Sequence, residues 1–131
     1  MIRTIFCWLL AVFFFLAGLA HFTQTAAFAA IVPPALPFKM LIVQITGAAE
    51  LILAVGLLVP KWRRASGWAL AAYCLLVLPA NIYMAITGMP LGSLDTPAAL
   101  WVRVLLQFPL IALILWASGA LWPRTDSAAA P

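Results

Sequence analysis

Four apolar stretches, each long enough to cross a bilayer, dominate this sequence. They cover approximately residues 4–22, 40–59, 65–87 and 97–122. A helix needs about 20 apolar residues to span the hydrocarbon core of a bilayer. The stretches show no strand-like alternation, and lipid offers no hydrogen-bond partners to an open backbone, so we expect helices. The sequence predicts an all-α membrane protein, a four-transmembrane-helix bundle that forms one domain over residues 1–122.

The composition indicates that the lipid bilayer covers much of the protein surface. Hydrophobic residues make up 67% of the 131 residues and charged residues 8%, whereas about a quarter of a soluble domain is charged. A chain this short cannot bury that much apolar surface in a core of its own. Arg3 precedes the first stretch as in a signal peptide, but the stretch exceeds the usual length of about 7–15 apolar residues. We therefore expect the first stretch to be kept as a helix, and residues 123–131 to form a disordered tail.

The basic residues outside the apolar stretches indicate the orientation. A four-span topology places most of them on one side, namely Arg3, Lys61, Arg63, Arg64 and Arg124. The other side has only Lys39 and Asp95 as charged residues. Because positive loops remain in the cytoplasm, both termini are predicted to be cytoplasmic, in a bacterial-type cytoplasmic (inner) membrane.

The loop between the first two stretches is itself apolar. Residues 23–39 read TQTAAFAAIVPPALPFK, and their three prolines exclude a continuous helix. A short interfacial helix over residues 26–31 followed by an extended segment fits this pattern. The loop is then either a linker at the headgroups or a lid over a site, and both interpretations stay open.

Glu50 lies near the middle of the second apolar stretch. A charge at that depth costs about 2.5–3.5 kcal/mol on insertion scales, so it needs a partner or a function. Arg103 is the only basic residue embedded as deeply in an apolar stretch, and it is the expected partner. The pair is either structural, fixing how the helices pack, or part of a site that binds a ligand or handles a proton.

Other polar residues fall in the same half of the membrane. At 1.5 Å per residue, a polar cluster in the outer half is predicted from His21, Glu50, Asn81, Arg103 and Gln107. Each member alone has a structural explanation, such as a hydrogen bond between helices. Together they resemble the few convergent polar groups of a ligand pocket, whereas the inner half lacks the polar path that transport would need.

Several other functions find no support. One histidine and two separated cysteines, Cys7 and Cys74, cannot form a zinc or haem site. The basic residues are too few and too scattered for nucleic acid, and no nucleotide or hydrolase motif is present. No catalytic residue can be named, and we assign no enzymatic activity to the chain on its own.

A set of short motifs, in order along residues 10–118, resembles the DoxX-like family of small four-helix membrane proteins. The motifs are AG and HF within residues 17–22, VPP at 32–34, TGAAEL at 46–51, PANIYM at 79–84, and Trp101, Arg103, Gln107 and Trp116. The resemblance implies a four-helix bundle and a shared polar set that includes the five clustered residues. The family takes its name from a subunit linked to quinone-dependent sulfur oxidation, and some relatives accompany redox proteins.

The resemblance and the polar cluster together lead to two hypotheses. In the first, the protein binds a lipid-soluble small molecule, a quinone or a lipid, in an outer-leaflet pocket as an accessory to membrane redox processes. A quinone is then the candidate cofactor, and a membrane redox protein or a second copy the candidate partner. In the second, it is a non-catalytic accessory or assembly protein whose buried Glu-Arg pair is structural.

Overall fold

The computed structural model of the protein describes residues 1–90, 93 and 96–122. Five helices occur in this part of the chain: α1 (Ile2–Thr23), α2 (Thr25–Ala30), α3 (Lys39–Leu58), α4 (Arg63–Thr87) and α5 (Pro97–Ala117). The helices α1, α3, α4 and α5 have 20 to 25 residues and are long and apolar enough to cross a membrane. The predicted all-α four-helix bundle is thus confirmed, while the predicted tail, residues 123–131, lies outside the described residues.

The last helix ends earlier than the apolar pattern predicts, at Ala117 instead of residue 122. Gly119 has a φ of 74°, a left-handed conformation that glycine adopts without strain. The Gly119 amide donates to the Trp116 carbonyl at 3.2 Å, and the Ala120 amide to the Leu115 carbonyl at 3.0 Å. These two bonds form a Schellman motif, which stops the helix although the following residues are apolar.

The short helix α2 lies close to the predicted range of 26–31. It packs against α1 and α3. The proline-containing segment 31–38 then leads to Phe38, whose φ of 55° turns the chain into α3. This connection folds back over one end of the bundle.

The transmembrane helices associate as two closely packed pairs. The contacts between α1 and α3 are the most extensive, followed by those between α4 and α5. The pairs meet where α3 packs on α4 and where α1 packs on α5. Because only residues 59–62 separate α3 from α4, these two helices are antiparallel neighbours.

The two ends of the bundle differ in how well they are filled. We call the end with the start of α1 the terminal end, where the Arg3 guanidinium donates to the Trp122 carbonyl at 2.7 Å. A continuous apolar core fills this end, with fully buried residues that include Cys7, Leu57, Leu70 and Ile114. We call the opposite end, covered by α2 and segment 31–38, the cap end. The helices leave a cavity there.

Candidate functional site

The cavity at the cap end has a volume of about 890 Å³. All four transmembrane helices line it, and α2 and the following segment contribute Phe28, Ile31 and Val32. The wall is mainly apolar, and two of its residues, Leu76 and Leu106, are 72% and 60% exposed. The cavity is therefore accessible from the surface that faces lipid.

The five residues of the predicted cluster all line this one cavity: His21, Glu50, Asn81, Arg103 and Gln107. Four of them are buried, and Arg103 is half-buried. They do not form a single network. The structure joins His21 to Glu50, joins Asn81 to Gln107, and leaves Arg103 apart from both pairs.

Glu50 is bound by side chains from two neighbouring helices. The Tyr73 hydroxyl of α4 donates to Glu50 Oε2 at 3.0 Å. His21 Nδ1 of α1 lies 3.4 Å from the same oxygen. The His21 and Glu50 side chains are only 11% and 5% exposed, so this cluster is largely removed from solvent.

The backbone of α1 determines how the His21 ring is protonated. Nδ1 lies 2.9 Å from the Ala17 carbonyl, which can only accept a hydrogen bond. Nδ1 must therefore carry a hydrogen, which it donates to the Ala17 carbonyl. In the neutral ring Nε2 is then unprotonated. The Nδ1–H group also lies beside Glu50 Oε2, at 3.4 Å, whereas the hydrogen bond to that oxygen comes from Tyr73.

Small residues bring His21 and Glu50 close together. A Cβ atom added to Gly47 would lie 2.5 Å from His21 Cβ and 3.2 Å from the Gly18 carbonyl. Only glycine at both positions lets α1 and α3 approach so closely. Since Gly47 precedes Glu50 by less than one turn, this contact aligns the His21 ring with the carboxylate.

A second hydrogen-bonded cluster connects α4 and α5. Asn81 Nδ2 donates to Gln107 Oε1 at 2.8 Å, and Gln107 Nε2 donates to the Cys74 carbonyl. Pro79 lies inside α4, and because it lacks an N–H it cannot bond to the carbonyl four residues earlier. The Gln107 amide therefore supports the backbone of α4 next to the position where the proline weakens it.

The expected pairing of Glu50 with Arg103 is wrong as a direct contact. Within the described residues, His21 is the only basic side chain with a nitrogen within 4.0 Å of a carboxylate oxygen, that of Glu50, and Arg103 forms neither an ion pair nor a hydrogen bond. Arg103 lies near enough to Glu50 for electrostatic attraction across the cavity. The reason is geometric: Glu50 lies on α3 and Arg103 on α5, and these two helices do not pack against each other.

The cap covers the cavity and contacts the Glu50 cluster through one ring pair. The rings of Phe28 and His21 stack, with centroids 4.2 Å apart and planes inclined by 22°. Ile31 packs with buried residues of α4 and α5, Met84 and Leu100. The segment predicted as either a linker or a lid therefore lies over the cavity and bridges both helix pairs.

Sequence reasoning missed Tyr73. Its position within the third apolar stretch offered a signal, because a tyrosine deep in a membrane needs a partner for its hydroxyl. Cys74 belongs to the site through its backbone carbonyl, which accepts from Gln107. A sequence does not show which backbone carbonyls accept hydrogen bonds from side chains.

Fold and site together define a four-helix membrane protein with a mainly apolar cavity, carrying a few polar groups, in one half of the bundle. The chain belongs to the family described as Domain of unknown function (DUF8561), which matches residues 10–129. No curated protein and no solved structure matches the chain. The family description names no activity, so the function has to be argued from the site.

Proposed function

We propose that the protein binds a lipid-soluble small molecule, a quinone or a lipid, in the cavity at the cap end. The observation that carries this proposal is Arg103, a half-buried cation on the cavity wall with no hydrogen bond or ion pair to the described residues. A guanidinium whose N–H groups have no hydrogen-bond acceptor in an apolar site is strongly unfavourable, even with a carboxylate further away. A ligand oxygen next to the guanidinium would offset this cost.

The form of the cavity supports the same proposal. Its volume of about 890 Å³ lies within the range of about 300–1,000 Å³ that is usual for ligand pockets. The apolar wall matches a hydrocarbon tail, and the exposed wall residues Leu76 and Leu106 allow entry from the lipid. Under the predicted topology, the ligand enters from the outer leaflet of a bacterial-type cytoplasmic membrane.

A role as an accessory to membrane redox processes rests on the resemblance to the DoxX-like family. The cysteines of the described chain, Cys7 and Cys74, are buried and not joined as a disulfide, so they do not form a redox pair. The protein would then hold or deliver a quinone for a redox partner. The proposal gives the chain no turnover of its own.

Mass spectrometry of small molecules bound to the purified protein tests the proposal. The protein is extracted in mild detergent, and lipids and quinones that accompany it are identified and quantified. We expect a stoichiometric quinone or lipid with the native chain and a loss of about tenfold or more in Arg103→Ala, since a charged hydrogen bond contributes about 1.5–3 kcal/mol.

Arg64→Ala is the matched control, because Arg64 is exposed at the start of α4, far along the helix from the cavity. It removes the same charge and should leave the bound molecule in place. Native protein that is folded but carries no lipid or quinone would contradict the proposal, as would equal occupancy in Arg103→Ala.

The second hypothesis, an accessory or assembly protein, is favoured by a different observation. His21, Glu50 and Tyr73 satisfy one another, as do Asn81 and Gln107, and such pairs hold membrane helices together. Under this hypothesis Glu50→Gln lowers the yield of folded protein, and no ligand is found with the native chain. Crosslinking in native membranes would then reveal a stoichiometric protein partner.

A further inference from the structure

We infer that the cavity selects a neutral head group that carries a carbonyl oxygen, and that it rejects anionic head groups. This inference rests on the proposed function and specifies the chemistry of its ligand. Two sources share that chemistry, the ring carbonyls of a quinone and the ester carbonyl of an uncharged lipid. The selection depends on Arg103, on its counter-charge and on the acceptors that remain free on the cavity wall.

Arg103 supplies the hydrogen-bond donors. Its guanidinium has five N–H groups and no acceptor, and none of them is bonded to the part of the chain that the structure describes. A ligand group that meets Arg103 must therefore offer an oxygen acceptor. A neutral carbonyl and an anionic phosphate or carboxylate both meet this requirement, so the donor alone does not distinguish them.

Glu50 distinguishes them because it already balances the charge of Arg103. The Tyr73 hydroxyl donates to Glu50 Oε2 at 3.0 Å, His21 Nδ1 lies 3.4 Å from the same oxygen, and Arg103 is near enough to attract the carboxylate. A hydrogen-bond donor and a nearby cation both favour the charged form of a carboxylate. With His21 in its neutral form, the charges of an ionised Glu50 and of Arg103 cancel within the cavity. An anionic head group would add an unbalanced charge in a medium of low dielectric constant.

The free acceptors on the wall also disfavour an anion. Glu50 Oε1 and Asn81 Oδ1 accept no hydrogen bond from the described residues, although both side chains line the cavity. A phosphate or carboxylate has only acceptor oxygens and would repel both atoms. A neutral head group places one carbonyl at Arg103 without bringing a second negative charge to Glu50.

Four probes with the same decyl chain test the inference on the full-length protein. They are decyl-1,4-benzoquinone, decyl acetate, decyl phosphate and decylbenzene, which represent the quinone, the neutral ester, the anion and a head group without an acceptor. The protein is reconstituted in nanodiscs of zwitterionic phospholipid. Native mass spectrometry then measures the bound fraction as each probe is titrated.

We expect at least one carbonyl probe to bind about tenfold or more tightly than both decyl phosphate and decylbenzene. Whichever carbonyl probe binds more tightly identifies the source of the ligand. If decyl phosphate binds more tightly than the carbonyl probes, the inference is overturned but the proposed function stands. The same holds if decylbenzene binds as tightly as the carbonyl probes. If none of the four probes binds, the proposed function fails and the inference fails with it.

Removing the negative charge of Glu50 tests the inference more directly. Glu50→Gln keeps the shape of the side chain and an oxygen for the Tyr73 hydroxyl, but leaves the charge of Arg103 unbalanced. Decyl phosphate should then gain about tenfold or more in affinity relative to the native chain, and an unchanged preference would overturn the inference. Should Glu50→Gln not fold, Arg103→Met provides the second test, because it should abolish the advantage of the carbonyl probes over decylbenzene.

Discussion

Glu50 shows how a carboxyl group can be held within a membrane without a direct ion pair to the nearby arginine. It accepts a hydrogen bond from the Tyr73 hydroxyl of α4, and the His21 ring of α1 lies beside it. Arg103 lies on the wall of the same cavity, and its N–H groups are not bonded to the described residues. The guanidinium is thereby available to a molecule that enters the cavity.

Removing the Tyr73 hydroxyl tests this arrangement. Tyr73→Phe removes the hydrogen bond that Glu50 accepts within the described residues, and we expect the free energy of unfolding to fall by about 1–2 kcal/mol. Denaturant titration of the protein in detergent measures the difference. Tyr83→Phe is the matched control on the same helix, because the Tyr83 hydroxyl has no hydrogen bond within the described residues. Equal stability of Tyr73→Phe and the native chain would contradict this account.

The members of the site could be predicted from the sequence, but their pairing could not. Depth follows from position within an apolar stretch, so His21, Glu50 and Arg103 were expected in the same half of the membrane, and they line one cavity. Which of these side chains contact each other depends on how each helix is rotated about its axis and on tertiary contacts. The Gly47 contact with His21 decides that rotation for α1 and α3, and a single sequence does not reveal it.

At the scale of helices, glycines determine which elements approach each other. Gly47 of α3 lets α1 pack close to the Glu50 carboxylate, whereas Gly56 of α3 faces the Ser66 side chain of α4 near the terminal end. A Cβ atom at either position would collide with its neighbour. The helix ends depend on glycine too, since Gly119 stops α5 where the apolar pattern continues.

The two glycines make a matched pair of variants. Gly47→Ala and Gly56→Ala should each lower the free energy of unfolding by about 1–3 kcal/mol, because both introduce a methyl group into a filled contact. Only Gly47→Ala displaces His21 from Glu50, so we expect it alone to reduce ligand occupancy. Denaturant titration and mass spectrometry of bound molecules measure the two effects. Equal occupancy in the two variants would show that the contact at Gly47 has no influence on the site.

At the scale of the whole molecule, the bundle is packed at one end and hollow at the other. The terminal end holds the apolar core, with Cys7 and Leu70 among its fully buried residues. The cap end holds the cavity and all five residues of the predicted polar cluster. Within the described residues, the polar side chains that line the cavity are therefore confined to the cap end.

Introduced cysteines can show which end of the bundle faces the cytoplasm. Ala35 and Trp62 are exposed at opposite ends of the bundle, and the native Cys7 and Cys74 are buried. A maleimide that does not cross membranes should label Ala35→Cys in intact cells, and Trp62→Cys only after permeabilisation, because positive loops remain in the cytoplasm. The reverse pattern would place the cavity in the cytoplasmic leaflet.

The distribution of hydrogen bonds between the two helix pairs has a consequence for biosynthesis. His21 and Glu50 lie in the pair made first, α1 with α3, whereas Asn81 and Gln107 lie in the pair made second, α4 with α5. Each pair can therefore bring its own polar side chains together as it leaves the insertion machinery. The cavity then forms only when the two halves dock, with the Tyr73 bond to Glu50 joining them at the cap end. A lipid-soluble molecule captured at that moment would complete assembly, so the ligand of the mature protein would also be the last part of its fold.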